Sequence, residues 1–171
     1  MKKTLMLLMV FLLVLGCGCS GDRGLYSSEI VSEHFLEQKD TLDRVASWMI
    51  DNPNIVYVLR GENSHWDDTR CYEQVDSCSV YSKKPLTQAE IAGLKTDVIP
   101  AFNDPMLESI REIPESFAKY IWFVYNSNLF DTAYQICKEY DRCGNGSLTD
   151  WSYYQDMTDL GEDWFAVGYG G

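Results

Sequence analysis

The sequence predicts an α+β fold: one small domain with a mixed or antiparallel sheet, an N-terminal helix and several short helices, stabilised by disulfides. Three observations lead there. Apolar residues recur at near-helical spacing through residues 28–50. Two short β-branched and aromatic runs, Ile55-Val56-Tyr57-Val58-Leu59 and Tyr120-Ile121-Trp122-Phe123-Val124-Tyr125, read as strands. Helical and strand patterns do not alternate regularly, which argues against a parallel α/β arrangement.

In the first helix Ile30, Phe35, Leu42, Val45, Ala46 and Met49 form the inward stripe. Ser27 or Ser28 can cap its start and Asn52-Pro53 stops it. The strand at 55–59 follows, bounded by Asn54 and Gly61. Residues 62–85 are polar, contain Cys71 and Cys78, and read as a long loop or an irregular hairpin. Thr87-Gln88-Ala89-Glu90 is a capping box, in which hydroxyl and carboxylate satisfy each other's backbone N–H groups. It predicts a helix over 88–98, with Ile91, Leu94 and Val98 inward and Pro100 ending it. Asp104-Pro105 opens another short helix carrying Met106, Leu107 and Ile110 and stopping near Pro114. Segment 117–125 favours a central strand, although Pro114 ahead of it also permits a helix start. Asp131 caps a helix over 132–142, with Ala133, Ile136, Cys137 and Tyr140 inward. At the C-terminus Trp151-Ser152-Tyr153-Tyr154 would pair with Trp164-Phe165-Ala166-Val167 across a polar turn at 159–163.

Ahead of the domain stand Met1-Lys2-Lys3-Thr4, eleven consecutive apolar residues from Leu5 to Leu15, and Gly16-Cys17. Charge, short apolar run, small residue and cysteine arrive in the order of an export signal. The run is too short to span a bilayer, which takes ~20 residues. Val14-Leu15-Gly16-Cys17 resembles the lipobox of bacterial lipoprotein precursors. The resemblance covers about a tenth of the chain and names a processing route, not a domain family. It implies that residues 1–16 are a signal peptide and that Cys17 is acylated as the mature N-terminus. The partner it implies is the membrane, held through N-terminal acyl chains at about 0.8 kcal/mol per buried CH₂. Cys19 repeats the Gly-Cys dipeptide in a poorer context, so Cys17 is the expected lipidation site. Gly18, where an Asp would retain the protein inside, implies the outer membrane facing the periplasm if the host is Gram-negative. Residues 17–27 are then the lipidated N-terminus and a tether of at most ~35 Å, and residues 28–171 the soluble domain.

Without Lys2 and Lys3 the mature chain of 155 residues carries 12 basic against 26 acidic residues, a net charge of −14. Such a field repels nucleic acid and anionic headgroups and favours solubility or a basic envelope protein as partner. An exported setting makes Cys71, Cys78, Cys137 and Cys143 disulfide candidates. The pairing stays open. Local bridges, Cys71–Cys78 with Cys137–Cys143, would require the helix to end before Cys143, as Gly144 and Gly146 permit. Crossed bridges close longer loops, worth about 4 kcal/mol each. Spacings of seven and six are poor for zinc.

No constellation marks a reaction. Glu62-Asn63-Ser64-His65-Trp66-Asp67-Asp68 sets an imidazole beside carboxylates after a strand and would suit acid/base or metal chemistry; a polar loop explains it as well. His34, between Glu33 and Phe35 on the first helix, reads as a surface or half-buried structural residue. Asp141-Arg142-Cys143-Gly144-Asn145-Gly146 matches part of a calcium loop but has Cys143 at the third position and Ser152 at the twelfth, where a Glu is needed. There is no GxSxG elbow, HExxH helix or P-loop. No catalytic residue, metal or cofactor is assigned. The expected role is a lipid-anchored, non-enzymatic binding or structural module of the cell envelope. Alternatives are an envelope hydrolase or metal-dependent enzyme centred on His65, Asp67 and Asp68, and a glycan-binding module using the C-terminal aromatics.

Overall fold

A computed structural model describes residues 28–61, 71–115, 118–127, 132–144 and 156–168. Cys17, Cys19, the tether, the His65/Asp67/Asp68 segment and the Trp151-to-Tyr154 strand lie outside them. The elements are α1 (Ser28–Asp51), β1 (Ile55–Arg60), β2 (Cys71–Val75), β3 (Cys78–Ser82), α2 (Gln88–Gly93), a π turn (Leu94–Val98), a 3-10 turn (Ile99–Asn103), β4 (Leu107–Pro114), β5 (Lys119–Ser127), β6 (Thr132–Tyr140), β7 (Asp156–Gly161) and β8 (Trp164–Gly168). The strands form one eight-stranded sheet in the order β2-β3-β1-β4-β5-β6-β8-β7, and all seven pairings are antiparallel. This corrects the α+β expectation. The sheet dominates, and α1 and α2 are the only α-helices among the described residues. None of those helices is long and apolar enough to cross a membrane.

Two expected helices are strands, each for an identifiable reason. In β4 the register shifts between Leu107 and Ser109. A bulge of this kind puts an extra residue in the strand, so Leu107 and Ile110 reach the same face at a spacing of three and imitate a helix. β6 is buried on both faces, with Tyr134, Gln135, Ile136 and Cys137 all inaccessible. A doubly buried strand loses its alternation and reads as an apolar run. Its pairing with β5, from Lys119↔Tyr140 to Ser127↔Thr132, outweighs any local preference. The C-terminal hairpin exists, but β8 pairs with β7. The two-residue turn is Glu162-Asp163, both at positive φ (53° and 63°), as tight hairpins require.

The α1 stripe packs on the inner face. Val31, Phe35, Leu42, Val45, Ala46 and Met49 join Val58, Val80, Ile110, Ile121, Phe123, Ile136 and Trp164 in one core. Val31 takes the place expected for Ile30, which is 63% exposed. The helix ends where Asn52 turns its backbone N–H and side-chain amide onto the Trp48 carbonyl, at 3.1 and 2.8 Å, and Pro53 cannot continue it. Gly93 ends α2 against the Trp48 indole, which a Cβ would meet at 2.4 Å. On the outer face Ala118, Tyr120, Trp122, Cys137 and Val167 form a second, smaller cluster.

Trp164 ties the helix to the sheet. It is fully buried, lies 5.4 Å from the Phe35 ring and 5.7 Å from that of Phe123, and donates its indole N–H to Asp43 Oδ1 at 3.0 Å. Lys39 Nζ reaches Asp43 Oδ2 at 2.7 Å and Glu162 at 2.8 Å.

The disulfide expectation is also corrected. Cys71, Cys78, Cys137 and Cys143 are all free thiols. Cys71 lies opposite Ser82 and Cys78 opposite Val75, so the two occupy opposite ends of their hairpin, ~13 Å apart at ~3.3 Å per residue. β6, with Cys137, is four places from β3 in the sheet, or ~19 Å at ~4.8 Å per strand. Cys143 is exposed beyond the end of β6, whereas Cys137 is buried within it. Burial pushes both the Cys78 and the Cys137 thiols up.

Two outcomes are expected. In the folded protein Cys143 is alkylated at neutral pH while Cys78 and Cys137 resist, and all four domain thiols react once the chain is unfolded without reductant. Mass spectrometry finding fewer than four would restore a bridge. For Asp43, burial pushes the carboxyl up, but the hydrogen bonds from Lys39 and Trp164 and the charges of Lys39 and Lys138 outweigh it and hold the group below its ordinary value. The folded state therefore binds this proton more weakly than the unfolded chain. Its stabilisation is complete above the unfolded carboxylate range and fades as pH falls below about 5. Asp43→Asn flattens that part of a plot of urea midpoint against pH; a curve parallel to the wild type would contradict the assignment.

Candidate functional site

One flank of α1, between its buried stripe and its solvent face, carries His34, Glu37, Gln38, Thr41 and Arg44. The spacing of 3.6 residues per turn brings them into one row. Facing this row is the stretch that leads into β4, Pro100 to Pro105. The two walls enclose an open cleft of about 420 Å³.

Arg60 builds the second wall. From the end of β1 its guanidinium donates to the carbonyls of Leu107 at 3.0 Å, Phe102 at 2.6 Å and Asp104 at 2.5 Å. It also lies 5.7 Å over the Phe102 ring. Charge-assisted donation to three carbonyls fixes a stretch that has no sheet partner of its own. Asp104 then turns inward. Its Oδ1 accepts the Met106 backbone N–H at 2.9 Å, and its Oδ2 meets His34 Nε2 at 3.0 Å. Both Nε2 and Oδ2 are buried, and apart from this contact neither has a hydrogen-bond partner among the described residues.

Beneath the pair lies an aromatic floor. The His34 ring stands edge-on to Tyr125 at 5.1 Å and to Tyr134 at 6.1 Å, and the two tyrosines stack at 4.7 Å with 6° between their planes. Burial pushes the Tyr125 hydroxyl up, with Tyr134 and the Asp104 carboxylate adding to it, so it stays a neutral phenol. The floor therefore holds His34 by its ring edge while Nε2 lies against Asp104.

The rest of the lining is unspent. Glu37, Gln38, Thr41, Arg44 and Asn103 make no side-chain hydrogen bond or ion pair with any described residue. A second cleft of about 490 Å³ at Pro53, Asn54, Lys83, Lys84, Pro85, Thr87 and Glu90 differs in this respect. There Asn54 bonds Lys84 and Glu90, Lys83 bonds Pro53 and Glu112, and Glu90 caps α2 through Thr87. Its polar groups hold the fold, whereas Glu37, Gln38, Thr41, Arg44 and Asn103 of the first cleft bond to no described residue.

His34, read as a structural residue, is thus half-buried at the centre of the candidate site. His65, Asp67 and Asp68 lie outside the described residues. Of the partial calcium loop, Asp141 is held by Lys119 at 2.5 Å and Arg142 by Glu139, and the loop's later positions lie outside the described residues. No group of three or more metal-ligating side chains occurs among the described residues. Of the C-terminal aromatics, Trp164 is core and Phe165 is half-buried on the outer face. The sequence signal for the cleft was faint: polar residues at 34, 38 and 41 border the apolar stripe where a solvent face would carry charge. Asp104-Pro105 reads as a helix start, and nothing local couples Arg60 to it.

No protein-family model matches this chain, and neither the curated proteins nor the solved structures compared with it include a match.

Arg60→Met keeps the apolar stem and removes the three donated bonds. It is expected to cost about 1.5–3 kcal/mol in urea unfolding and to move the His34 ring resonances as Asp104 withdraws. A change within about 0.5 kcal/mol, typical of an unremarkable surface position, would mean that Arg60 does not build the wall.

Proposed function

We propose that this chain is a lipid-anchored cell-envelope protein that acts by binding, with the cleft at His34 and Asp104 as its ligand site. The observation that carries the reading is the unspent lining: five polar side chains beside a half-buried imidazole–carboxylate pair, none of them bonded to a described residue. Gln38 and Thr41 are half-buried, where polar groups are ordinarily satisfied within the protein, and Glu37, Arg44 and Asn103 are exposed beside them, so the cleft is suited to a polar ligand. The anchor rests on Val14-Leu15-Gly16-Cys17 and the apolar run before it. Two or more acyl chains on Cys17 give stable attachment, and the short tether then keeps the cleft near the membrane. In this reading the outer membrane, facing the periplasm, is the location in a Gram-negative host. The acidic balance steers cationic groups inward, and a basic envelope protein is the macromolecule it favours.

Expression in a bacterial host fed an alkyne analogue of palmitate tests the anchor. The wild-type chain and Cys19→Ser are expected to take up label and to sediment with membranes; Cys17→Ser is expected to lose both. Label retained by Cys17→Ser would overturn the assignment of the lipidated residue, and no label in any variant would overturn the anchor.

A further inference from the structure

We infer that the cleft takes a short peptide with both termini free, its carboxylate on Arg44 and its ammonium at Glu37. This rests on the reading of the cleft as a binding site and adds the ligand class.

The argument begins with where the charges lie. Arg44 stands at one end of the row on α1, and Glu37 lies toward the other, beside the His34–Asp104 pair. Seven residues of helix separate Glu37 from Arg44, ~10.5 Å along the axis. Both are exposed and make no ion pair with a described residue, so each charge is available. Two opposite charges at this separation call for a dipolar ligand of the same length. An extended tripeptide spans ~10–11 Å.

The middle of the cleft fits a peptide backbone. Gln38 and Asn103 offer both a carbonyl and an NH₂, and Thr41 a hydroxyl that donates or accepts. These match the alternating N–H and C=O groups of a main chain. Pro100, Ala101 and Pro105 give the facing wall small apolar facets on which short side chains can rest. The volume of about 420 Å³ holds three small residues with room for water.

Other ligand classes use the lining less well. A neutral saccharide would satisfy Gln38, Thr41 and Asn103 but leave Glu37 and Arg44 unmatched. A simple anion would use Arg44 and face the carboxylates of Glu37 and Asp104. A polyamine would use the carboxylates and meet Arg44. Only a zwitterion engages both ends.

Calorimetric titration of the full chain in detergent, with amide shifts mapped by NMR, tests the inference. The probes are trialanine, N-acetyl-trialanine, trialanine amide and maltotriose. Trialanine is expected to bind about tenfold more tightly than either blocked peptide, the loss that follows from removing a charged hydrogen bond. Arg44→Gln removes the penalty for the amide alone, and Glu37→Gln the penalty for the acetyl group alone. Equal binding of free and blocked peptides overturns the inference. Maltotriose binding in place of trialanine, with shifts at Gln38 and Thr41, overturns it and leaves the cleft a binding site. If no probe moves Gln38 or Thr41, both readings fail.

Discussion

The structure depends on one docking event: the apolar stripe of α1 laid across the inner face of the sheet, with the Trp164 indole fixing its position. Trp164 belongs to β8, near one edge of the sheet, and Asp43 to the middle of the helix. Their 3.0 Å hydrogen bond adds direction to a contact that is otherwise area. Hydrophobic burial at roughly 25 cal/mol per Å² holds the helix down but does not choose its rotation or its slide. A donor that must find an acceptor when buried does choose, because an unmet N–H costs about 1–3 kcal/mol. Lys39, paired with Asp43 and with Glu162 of the β7–β8 turn, sets the same register from the solvent side.

The cleft is a consequence of that rotation. Once Phe35 and Leu42 face the core, His34, Gln38 and Thr41 must lie on the flank toward the stretch before β4. Arg60 fixes that stretch at the right distance by drawing three carbonyls to one guanidinium. The two walls thus have separate origins, one in helix packing and one in a cation–carbonyl clamp, and the His34–Asp104 contact is where they meet. The Tyr125–Tyr134 stack beneath is possible because β5 and β6 pair with those residues in register.

Much of the secondary structure was legible where one signal acted alone. The capping box at Thr87 is present, with Thr87 and Glu90 bonded reciprocally. The strand at Ile55 and the central strand at Tyr120 are where their β-branched and aromatic runs place them. The reading failed where two patterns coincide. The bulge before Ser109 gives Leu107 and Ile110 a helical spacing in a strand, and double burial strips β6 of its alternation. Each expected helix that proved to be a strand enlarged the sheet, so two local errors changed the fold class. The cysteines failed for another reason: bridging depends on strand register and order, and neither is written in spacing.

By itself the sequence determined the acidic balance, the helix over residues 28–50 and the two apolar strands, because each is a property of the residue string itself. It offered His34, Arg60 and Asp104 no connection, since 26 residues separate the first pair and 44 the second. Only the tertiary structure decided that they form one site. The physical reason is that a cleft is made from the flanks of elements, and which flank faces which is settled by buried area and by the few hydrogen bonds that must be met when that area closes. Pairing of β5 with β6, and docking of α1 under Trp164, are long-range choices of that kind.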